Sequence, residues 1–264
     1  MNNKAIGIFD SGIGGLTVYK AIKHRMPNEK IIYLGDTARV PYGTKSKDTI
    51  IKFSLQNAKF LLEKDVKIIV VACNTSSSYA LPSLQKEFSI PIVGVIEPGS
   101  EAAVKCSKSK VGVIGTNATI SSKAYETSIK NKNSELKIIS TPCPLFVPLV
   151  EEGWIDNEVT ELIAKEYLEP LKQNGIDSLV LGCTHYPVLK EVIKKVMGNN
   201  VKIIDSASTV SEKVFDILTN FGWLNNNKKK HEDEFYVTDS PERFKKVGEY
   251  FLGKKINQVK QINI

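Results

Sequence analysis

The chain has 264 residues, of which 42% are apolar and 25% are charged, as in ordinary globular proteins. This length suits one large or two modest domains, and it can bury a core without disulfide bonds or metal ions. No apolar run reaches the roughly 18 residues that a membrane-spanning helix needs, and the net charge of +7 is compatible with an acidic substrate or with nucleic acid. The opening sequence MNNKAIGIFD leads directly into an apolar segment without a secretory signal, so we expect a cytoplasmic protein.

Short apolar runs rich in isoleucine and valine alternate along the chain with helical patterns. The runs lack the alternation of a half-exposed strand, so they predict parallel strands with both faces covered by helices. The predicted strands are 5–9, 31–34, 67–72, 92–96, 111–114, 137–139, 178–181 and 201–204, and the predicted helices include 47–64, 76–88, 157–174 and 188–197. This order of elements predicts an α/β fold.

The first part of the chain is repeated in the second. Ile6-Gly7-Ile8-Phe9-Asp10 matches Val111-Gly112-Val113-Ile114-Gly115, and Val70-Val71-Ala72-Cys73 matches Val180-Leu181-Gly182-Cys183. The offset grows slowly from 105 to 110 residues while the order of the matching segments is kept. The repeat predicts two pseudo-symmetric, three-layer α/β half-domains, at about 4–98 and 110–206, with mainly parallel sheets and the active site in the cleft between them.

The tail, 207–264, is predicted to contain a helix at 209–219, a polar loop, a strand at 234–237 and a second helix at 241–251. It is too small for an independent core, so we expect it to pack on the first half. The predicted domains are therefore 1–98 together with 207–264, and 99–206. Within the tail, acidic residues follow the run Lys228-Lys229-Lys230, which favours a solvated loop over a nucleic-acid patch.

Polar residues follow several of the predicted strands. In open α/β sheets, ligands bind beyond the carboxyl ends of the strands, so two facing halves would bring these residues into one cleft. They are Asp10 and Ser11, the segment 36–43, Cys73-Asn74-Thr75, Thr116-Asn117, Glu151 and Cys183-Thr184-His185.

Cys73 and Cys183 occupy equivalent positions in the repeat, each just before the predicted start of a helix. Backbone NH groups and the helix dipole stabilise a thiolate at such a place, so we expect both thiols to be workable bases near neutral pH. Two facing thiols suit a reaction that removes a proton from one face of a carbon and returns it to the other. The alternative is a structural role for both cysteines as small residues in tight turns.

Other residues near these cysteines could support them or bind an anion. Asp10 and His185 could orient or tune the thiols, although a helix cap and a buried structural histidine are the alternatives. Glu151 could assist, or could form a charge pair with Glu152 at the start of a helix. Donors that favour carboxylate binding are predicted at 74–77, Tyr42-Gly43 and Thr184.

A nucleotide site is the competing interpretation of the first loop. Gly12-Ile13-Gly14-Gly15-Leu16-Thr17 follows a predicted strand and Asp36 follows the next one, as in a dinucleotide fingerprint. However, Thr17 stands at the third glycine position, and Asp10 would repel a pyrophosphate. The four cysteines lack the spacing of a zinc site, a Walker loop is absent, and no lysine stands out as an anchor for pyridoxal phosphate.

Five motifs together closely resemble those of bacterial glutamate racemases, in the aspartate/glutamate racemase family. They are Gly7-Ile8-Phe9-Asp10-Ser11-Gly12, Gly35-Asp36-Thr37-Ala38-Arg39-Val40-Pro41-Tyr42-Gly43, Ala72-Cys73-Asn74-Thr75, Pro144-Leu145-Phe146-Val147-Pro148-Leu149-Val150-Glu151-Glu152-Gly153 and Gly182-Cys183-Thr184-His185-Tyr186-Pro187. The resemblance extends from about residue 5 to Ser206, and the tail is similar in length.

The resemblance implies an isomerase that interconverts L- and D-glutamate without a cofactor or metal and supplies D-glutamate for peptidoglycan. It implies that Cys73 acts on the proton of the D-enantiomer and Cys183 on that of the L-enantiomer, assisted by Asp10, His185 and Glu151. The residues that it implies for substrate binding are Asp10, Ser11, Pro41, Tyr42, Gly43, Cys73, Asn74, Thr75, Cys183, Thr184 and His185. It also implies a homodimer.

Two alternatives remain at this point. Aspartate racemase, or another two-cysteine racemase of the same superfamily, would differ in the size of the substrate pocket. The basic charge also leaves room for contact with DNA or with a topoisomerase such as gyrase, which we expect to be at most a side activity.

Overall fold

The computed structural model describes residues 2–227 and 231–264. Its strands are β1 (Ile6–Asp10), β2 (Ile31–Gly35), β3 (Ile68–Val71), β4 (Ile92–Gly94), β5 (Lys110–Gly115), β6 (Lys137–Pro142), β7 (Ser178–Gly182), β8 (Lys202–Asp205), β9 (Glu234–Val237) and β10 (Val259–Gln261). They form a six-stranded sheet with the order β10-β9-β2-β1-β3-β4 and a four-stranded sheet with the order β6-β5-β7-β8. The strand pairs within both sheets are parallel.

Helices connect the strands as parallel crossovers require. The α-helices are α1 (Leu16–Arg25), α2 (Lys47–Glu63), α3 (Asn74–Tyr79), α4 (Leu81–Glu87), α5 (Ile96–Cys106), α6 (Asn117–Ser121), α7 (Ala124–Lys132), α8 (Phe146–Glu151), α9 (Glu158–Gln173), α10 (Lys190–Met197), α11 (Ser206–Asn220) and α12 (Pro241–Leu252). Short 3₁₀ helices occupy Thr37–Arg39, Tyr42–Thr44 and Tyr186–Leu189.

Helices cover both faces of the first sheet, as the continuous apolar runs predict. In β1, Ile8 belongs to the same hydrophobic cluster as Leu16 of α1, on one face of the sheet. The neighbouring Phe9 belongs to a second cluster with Leu61 of α2, on the other face. Successive residues of a strand point to opposite faces, so one buried strand anchors two helical layers.

The structure repeats its topology as the sequence repeat predicts. The order β2-β1-β3-β4 in the first sheet corresponds to β6-β5-β7-β8 in the second. In both halves the first strand lies between the second and the third, so the loops after all three emerge at the same edge. The α/β fold with two parallel sheets is therefore confirmed.

The tail adds two strands to the first sheet. β9 pairs in parallel with β2, where Gly35 faces Val237, and β10 pairs with β9. Helix α11 packs mainly against α1 and α5. The exact division into two domains stays a prediction, and the run 228–230 lies outside the described residues.

Local details differ from the sequence prediction. The predicted helix 76–88 is two helices, α3 and α4, which meet at Ala80 just before Pro82. Proline lacks the NH that a continuous helix needs, and it is tolerated here in the first turn of α4. The predicted strand 92–96 ends at Gly94, because Ile96 already begins α5. Within the described ranges, no helix combines the length and apolarity that crossing a bilayer would require.

Candidate active site

A cavity with about 440 Å³ of empty space lies where the loops after the strands of the two sheets meet. Every residue that the family resemblance assigns to catalysis or substrate binding, except Asp10, lines it: Ser11, Pro41, Tyr42, Gly43, Cys73, Asn74, Thr75, Glu151, Cys183, Thr184 and His185. Asn117 and the residues 36–39 and 76–77, which the sequence also placed in the cleft, do not line it. Thr116, which the sequence placed in the cleft without a role, lines it as well, with Val40 and Val147. The structure thus brings residues from both copies of the repeat into one small enclosure.

Cys73 is the N-cap residue of α3 and is 5% exposed. Its Sγ accepts the backbone NH of Ser76 at 3.5 Å and lies 3.6 Å from Ser11 Oγ. Burial and the nearby Asp10 carboxylate nevertheless raise the pKa of the Cys73 thiol to about 11. The expectation of a thiolate at this position was therefore wrong for Cys73, because the loss of hydration outweighs the helix-start donors. At neutral pH the cavity contains a Cys73 thiol that can donate a proton.

Cys183 has different surroundings from Cys73. It is followed by a turn and a 3₁₀ helix rather than by the predicted start of an α-helix. Its Sγ lies 3.9 Å from His185 Nδ1, and His185 Nε2 lies 3.1 Å from Glu151 Oε1. Burial alone would lower the pKa of His185, but the contacts with Cys183 and Glu151 outweigh it and raise that pKa to about 10. A positively charged imidazolium therefore lies beside the second sulfur.

Glu151 is the last residue of α8, so the alternative interpretation, a charge pair with Glu152 at a helix start, was wrong. A carboxylate at the C-terminal end of a helix meets the unfavourable end of the dipole and needs partners. The hydrogen bond from His185 lowers the pKa of Glu151, and Arg243 Nη2 of α12 lies 3.6 Å from Glu151 Oε2. Glu151 thus connects the tail helix with the imidazolium beside Cys183.

Asp10 lies behind the wall of the cavity and is 0% exposed. Its Oδ2 accepts the NH of Gly12 at 3.0 Å, and its Oδ1 accepts the Thr184 hydroxyl at 3.4 Å. Burial raises the pKa of Asp10, and the charge of His185 opposes this effect. Direct contact between Asp10 and a ligand in the cavity is not supported; its carboxylate instead links the turn after β1 to the turn after β7.

Several donors in the cavity are oriented by neighbouring residues. The Tyr42 hydroxyl donates to the Asp36 carboxylate and accepts from the side-chain amide of Asn57. Tyr42 and Gly43 can therefore offer only their backbone groups to a ligand in the cavity. A Cβ on Gly43 would lie 2.8 Å from Thr116 Cβ, so only glycine lets this loop approach the second half so closely. Thr75 Oγ1 lies 3.0 Å from Thr116 Oγ1. Hydroxyl and amide donors from both halves therefore converge on the cavity.

The described part of the chain contains no group of three or more His, Cys, Asp and Glu side chains placed to hold a metal ion. Its side chains can instead enclose a small carboxylate-bearing molecule between a protonated thiol and a sulfur paired with an imidazolium. Such an arrangement can move a proton to or from a carbon atom.

Comparisons with known proteins agree with this chemistry. The family model for Asp/Glu/hydantoin racemases matches residues 6–213. The chain is 52% identical to a glutamate racemase of Geobacter metallireducens over 262 residues, which cover 99% of this chain and 97% of the relative.

Solved structures of similar proteins extend the agreement to the fold. The crystal structure of a glutamate racemase from Francisella tularensis in complex with D-glutamate has a TM-score of 0.94, 45% identity and coverage of 100% of this chain and 98% of its own. A glutamate racemase isoform from Bacillus anthracis has a TM-score of 0.97 and 39% identity, and the match covers 100% of this chain and 99% of its own.

Proposed function

The chain belongs to the Asp/Glu/hydantoin racemase family, and on that premise we propose that it interconverts L- and D-glutamate by proton transfer between two cysteines. The observation that carries the proposal is the cavity itself. Cys73 and Cys183 come from equivalent positions of a duplicated fold and line the same small cavity together with anion-binding donors.

The proposed reaction from L-glutamate begins with the sulfur of Cys183, beside the His185 imidazolium, as the base. The sulfur takes the α-proton, and the electrons of the broken C–H bond remain on the α-carbon. Cys73 then gives its thiol proton to the opposite face of the carbon, which yields D-glutamate and a Cys73 thiolate. The pKa of Cys73, raised to about 11 by burial, supports a protonated donor at the start of this direction.

Negative charge develops on the substrate as the α-proton leaves. Water cannot solvate this charge in a closed cavity, so hydrogen-bond donors fixed by the protein must stabilise it. We infer that Ser11, Asn74, Thr75, Thr184 and the backbone of Tyr42 and Gly43 bind the two carboxylates of glutamate. Asp10, His185 and Glu151 hold the two thiols and set the charge around them.

A direct assay tests the proposal. The purified chain is incubated separately with L-glutamate, D-glutamate, L-aspartate and D-aspartate, and chiral chromatography follows the appearance of the other enantiomer. We expect rapid formation of D-glutamate from L-glutamate and the reverse, without added cofactor. Formation of D-aspartate without D-glutamate would contradict the proposal that glutamate is the substrate and would favour the aspartate racemase alternative.

The cellular setting is part of the same proposal. We propose that the enzyme acts in the cytoplasm as a homodimer, supplies D-glutamate for peptidoglycan, and has two domains, 1–98 with 207–264 and 99–206, that close around the substrate. Contact with DNA or a topoisomerase would be a side activity. A DNA retention assay at increasing salt tests it, because phosphate contacts weaken steeply with salt.

A further inference from the structure

Tyr125 of α7 is a buried residue outside the cavity that contacts both catalytic turns. It is 2% exposed, and its hydroxyl donates to Asn74 Oδ1 at 2.7 Å. Asn74 directly follows Cys73, whereas α7 belongs to the second half of the repeat. We propose that Tyr125 is a positioning residue that fixes the Asn74 amide with its NH₂ group toward the substrate. The proposal rests on the proposed racemase function and assigns a residue to its substrate site.

The ring of Tyr125 lies in a space that two glycines leave open. A Cβ on Gly99 would lie 3.1 Å from Tyr125 Cε1, and a Cβ on Gly182 would lie 3.2 Å from Tyr125 Cε2. Gly182 directly precedes Cys183. One side chain therefore packs against the backbone before one catalytic cysteine and hydrogen-bonds to the residue after the other.

The hydrogen bond holds the carbonyl oxygen of the Asn74 amide against the Tyr125 hydroxyl. Burial, with the charges of Asp205 and Cys183, raises the pKa of Tyr125 well above its usual range, so the phenol keeps its proton and remains a donor. The Tyr125 hydroxyl, which gives its proton to Asn74 Oδ1, holds the amide oxygen on this side, and the NH₂ group lies at the opposite end of the amide. A reversed amide would point its oxygen at the substrate carboxylate and repel it.

The NH₂ group of the Asn74 amide is available to bind a ligand. Within the described residues Asn74 Nδ2 is buried without a hydrogen-bond partner, and Asn74 lines the cavity. A buried donor without a partner costs free energy, which an incoming carboxylate oxygen would recover. Tyr125 would therefore act on the binding of both enantiomers, through Asn74 and without touching either of them.

The test compares Tyr125→Phe with wild type. The variant removes the hydroxyl and keeps the ring between the glycines, so we expect KM for L- and D-glutamate to rise about tenfold while kcat stays within about threefold. Tyr19→Phe is the matched control, because Tyr19 is also 2% exposed and its hydroxyl lies 2.7 Å from Asp233, away from the cavity. Tyr19→Phe should leave KM unchanged.

A double-mutant cycle separates positioning from a general structural role. If Tyr125 acts through Asn74, Tyr125→Phe raises KM in the wild-type background and has no further effect in Asn74→Ala. An unchanged KM in Tyr125→Phe, or an equal rise in both backgrounds, would overturn the proposal.

A second measurement uses the wild-type chain and keeps the proposal falsifiable if Tyr125→Phe folds poorly. The side-chain NH₂ resonances of Asn74, assigned by their absence in Asn74→Ala, should shift when glutamate is added; no shift would overturn the proposal. A wild-type chain without glutamate turnover would refute the proposed function instead. Without turnover there is no KM for the double-mutant cycle. The side-chain NH₂ resonances of Asn74 would then be compared between wild type and Tyr125→Phe in the absence of substrate. Identical resonances in the two proteins would overturn the role of Tyr125.

Discussion

The two site cysteines have equivalent positions in the fold but unequal chemical surroundings. Cys73 has neutral donors and a buried carboxylate nearby, whereas Cys183 has an imidazolium. Their positions at strand ends could be predicted from the repeat in the sequence. The protonation of Cys73 could not, because it depends on burial by residues distant in the chain, and the sequence shows only the local helix start.

At the scale of single residues, each cysteine should be essential. Cys73→Ala and Cys183→Ala should each abolish racemisation with little change in the circular dichroism spectrum, since each removes one of two proton carriers. Exchange of the α-proton with deuterium oxide should survive for L-glutamate in Cys73→Ala and for D-glutamate in Cys183→Ala.

Cys106→Ala is the matched control, because Cys106 is a free, partly buried cysteine that does not line the cavity. It should retain wild-type turnover. Normal racemisation in either site variant would contradict the two-cysteine reaction.

The charged His185 should make stability depend on pH. Contacts with Cys183 and Glu151 raise the pKa of His185 from 6.5 to about 10, so the folded state binds a proton that the unfolded state has lost at intermediate pH. This stabilisation is fully present below pH 6.5 and disappears as pH rises through about 10. Asp10 is the other charged group facing this histidine.

Urea unfolding between pH 6.5 and 9 measures the effect. The free energy of unfolding should fall by up to about 1.4 kcal/mol per pH unit in wild type and less steeply in His185→Gln. Equal slopes for the two proteins would show that His185 does not carry the extra proton.

At the scale of elements, the first turn of α1 and the loop before it pack tightly against the turn after β7. Thr17 Oγ1 lies 3.1 Å from the carbonyl oxygen of Thr184, and a Cβ on Gly14 would lie 2.4 Å from Thr184 Oγ1 and 2.5 Å from His185 Nδ1. The imidazole ring of His185 is rigid and cannot bend away from an added methyl group as the end of a flexible side chain can. The turn that contains Thr184 and His185 therefore requires glycine at position 14.

Gly14→Ala should therefore reduce kcat/KM by about tenfold or more, because the added methyl group displaces His185 from Cys183. Gly248→Ala in α12 is the control. Its Cβ would come closest to the terminal methyl groups of Ile256 and Leu16, at 2.9 Å, and would lie at ordinary contact distance, 4.0 Å, from the Phe244 ring; alanine favours the helix by up to about 1 kcal/mol. Racemisation assays and thermal unfolding of both variants check the prediction; equal activity in the two would refute it.

The central strands and the longest helices could be predicted from the sequence because their patterns are long and consistent. The helix 47–64 is observed at Lys47–Glu63, and the tail strand begins and ends as predicted, at Glu234–Val237. β10 was missed, because Val259-Lys260-Gln261 has a single apolar residue and forms an exposed edge. α8 was also missed, because Pro148 interrupts a short apolar run and hides its helical period.

At the scale of the whole molecule, a buried ion pair holds the tail on the first half. Lys67 Nζ lies 2.6 Å from Glu29 Oε2 and donates to the carbonyl oxygen of Trp223 at 2.8 Å, while Glu29 Oε1 accepts the NH of Asn225. The Lys67 side chain is 0% exposed and that of Glu29 is 2% exposed. No sequence pattern predicted the pair of Lys67 and Glu29, because the two residues are 38 positions apart in the chain.

Lys67→Met should lower the free energy of unfolding by about 3–5 kcal/mol, because it leaves Glu29 buried without its cation. Lys4→Met is the control, since Lys4 and Asp65 form an exposed pair at the surface, and its effect should stay within about 1 kcal/mol. Urea denaturation of both variants provides the comparison. Equal losses would mean that the buried pair has no special weight.

The order of strands also has a consequence for how the protein is made. The second sheet uses one continuous stretch, from Lys110 to Asp205, whereas the first joins Ile31–Gly35 to Glu234–Val237. On a ribosome, which releases the chain from its N-terminus, all four strands of the second sheet have emerged before β9 can reach β2. The half that is encoded first is thus the last to be completed, and the emerging chain must keep the edge of β2 unpaired until its final segment is synthesised.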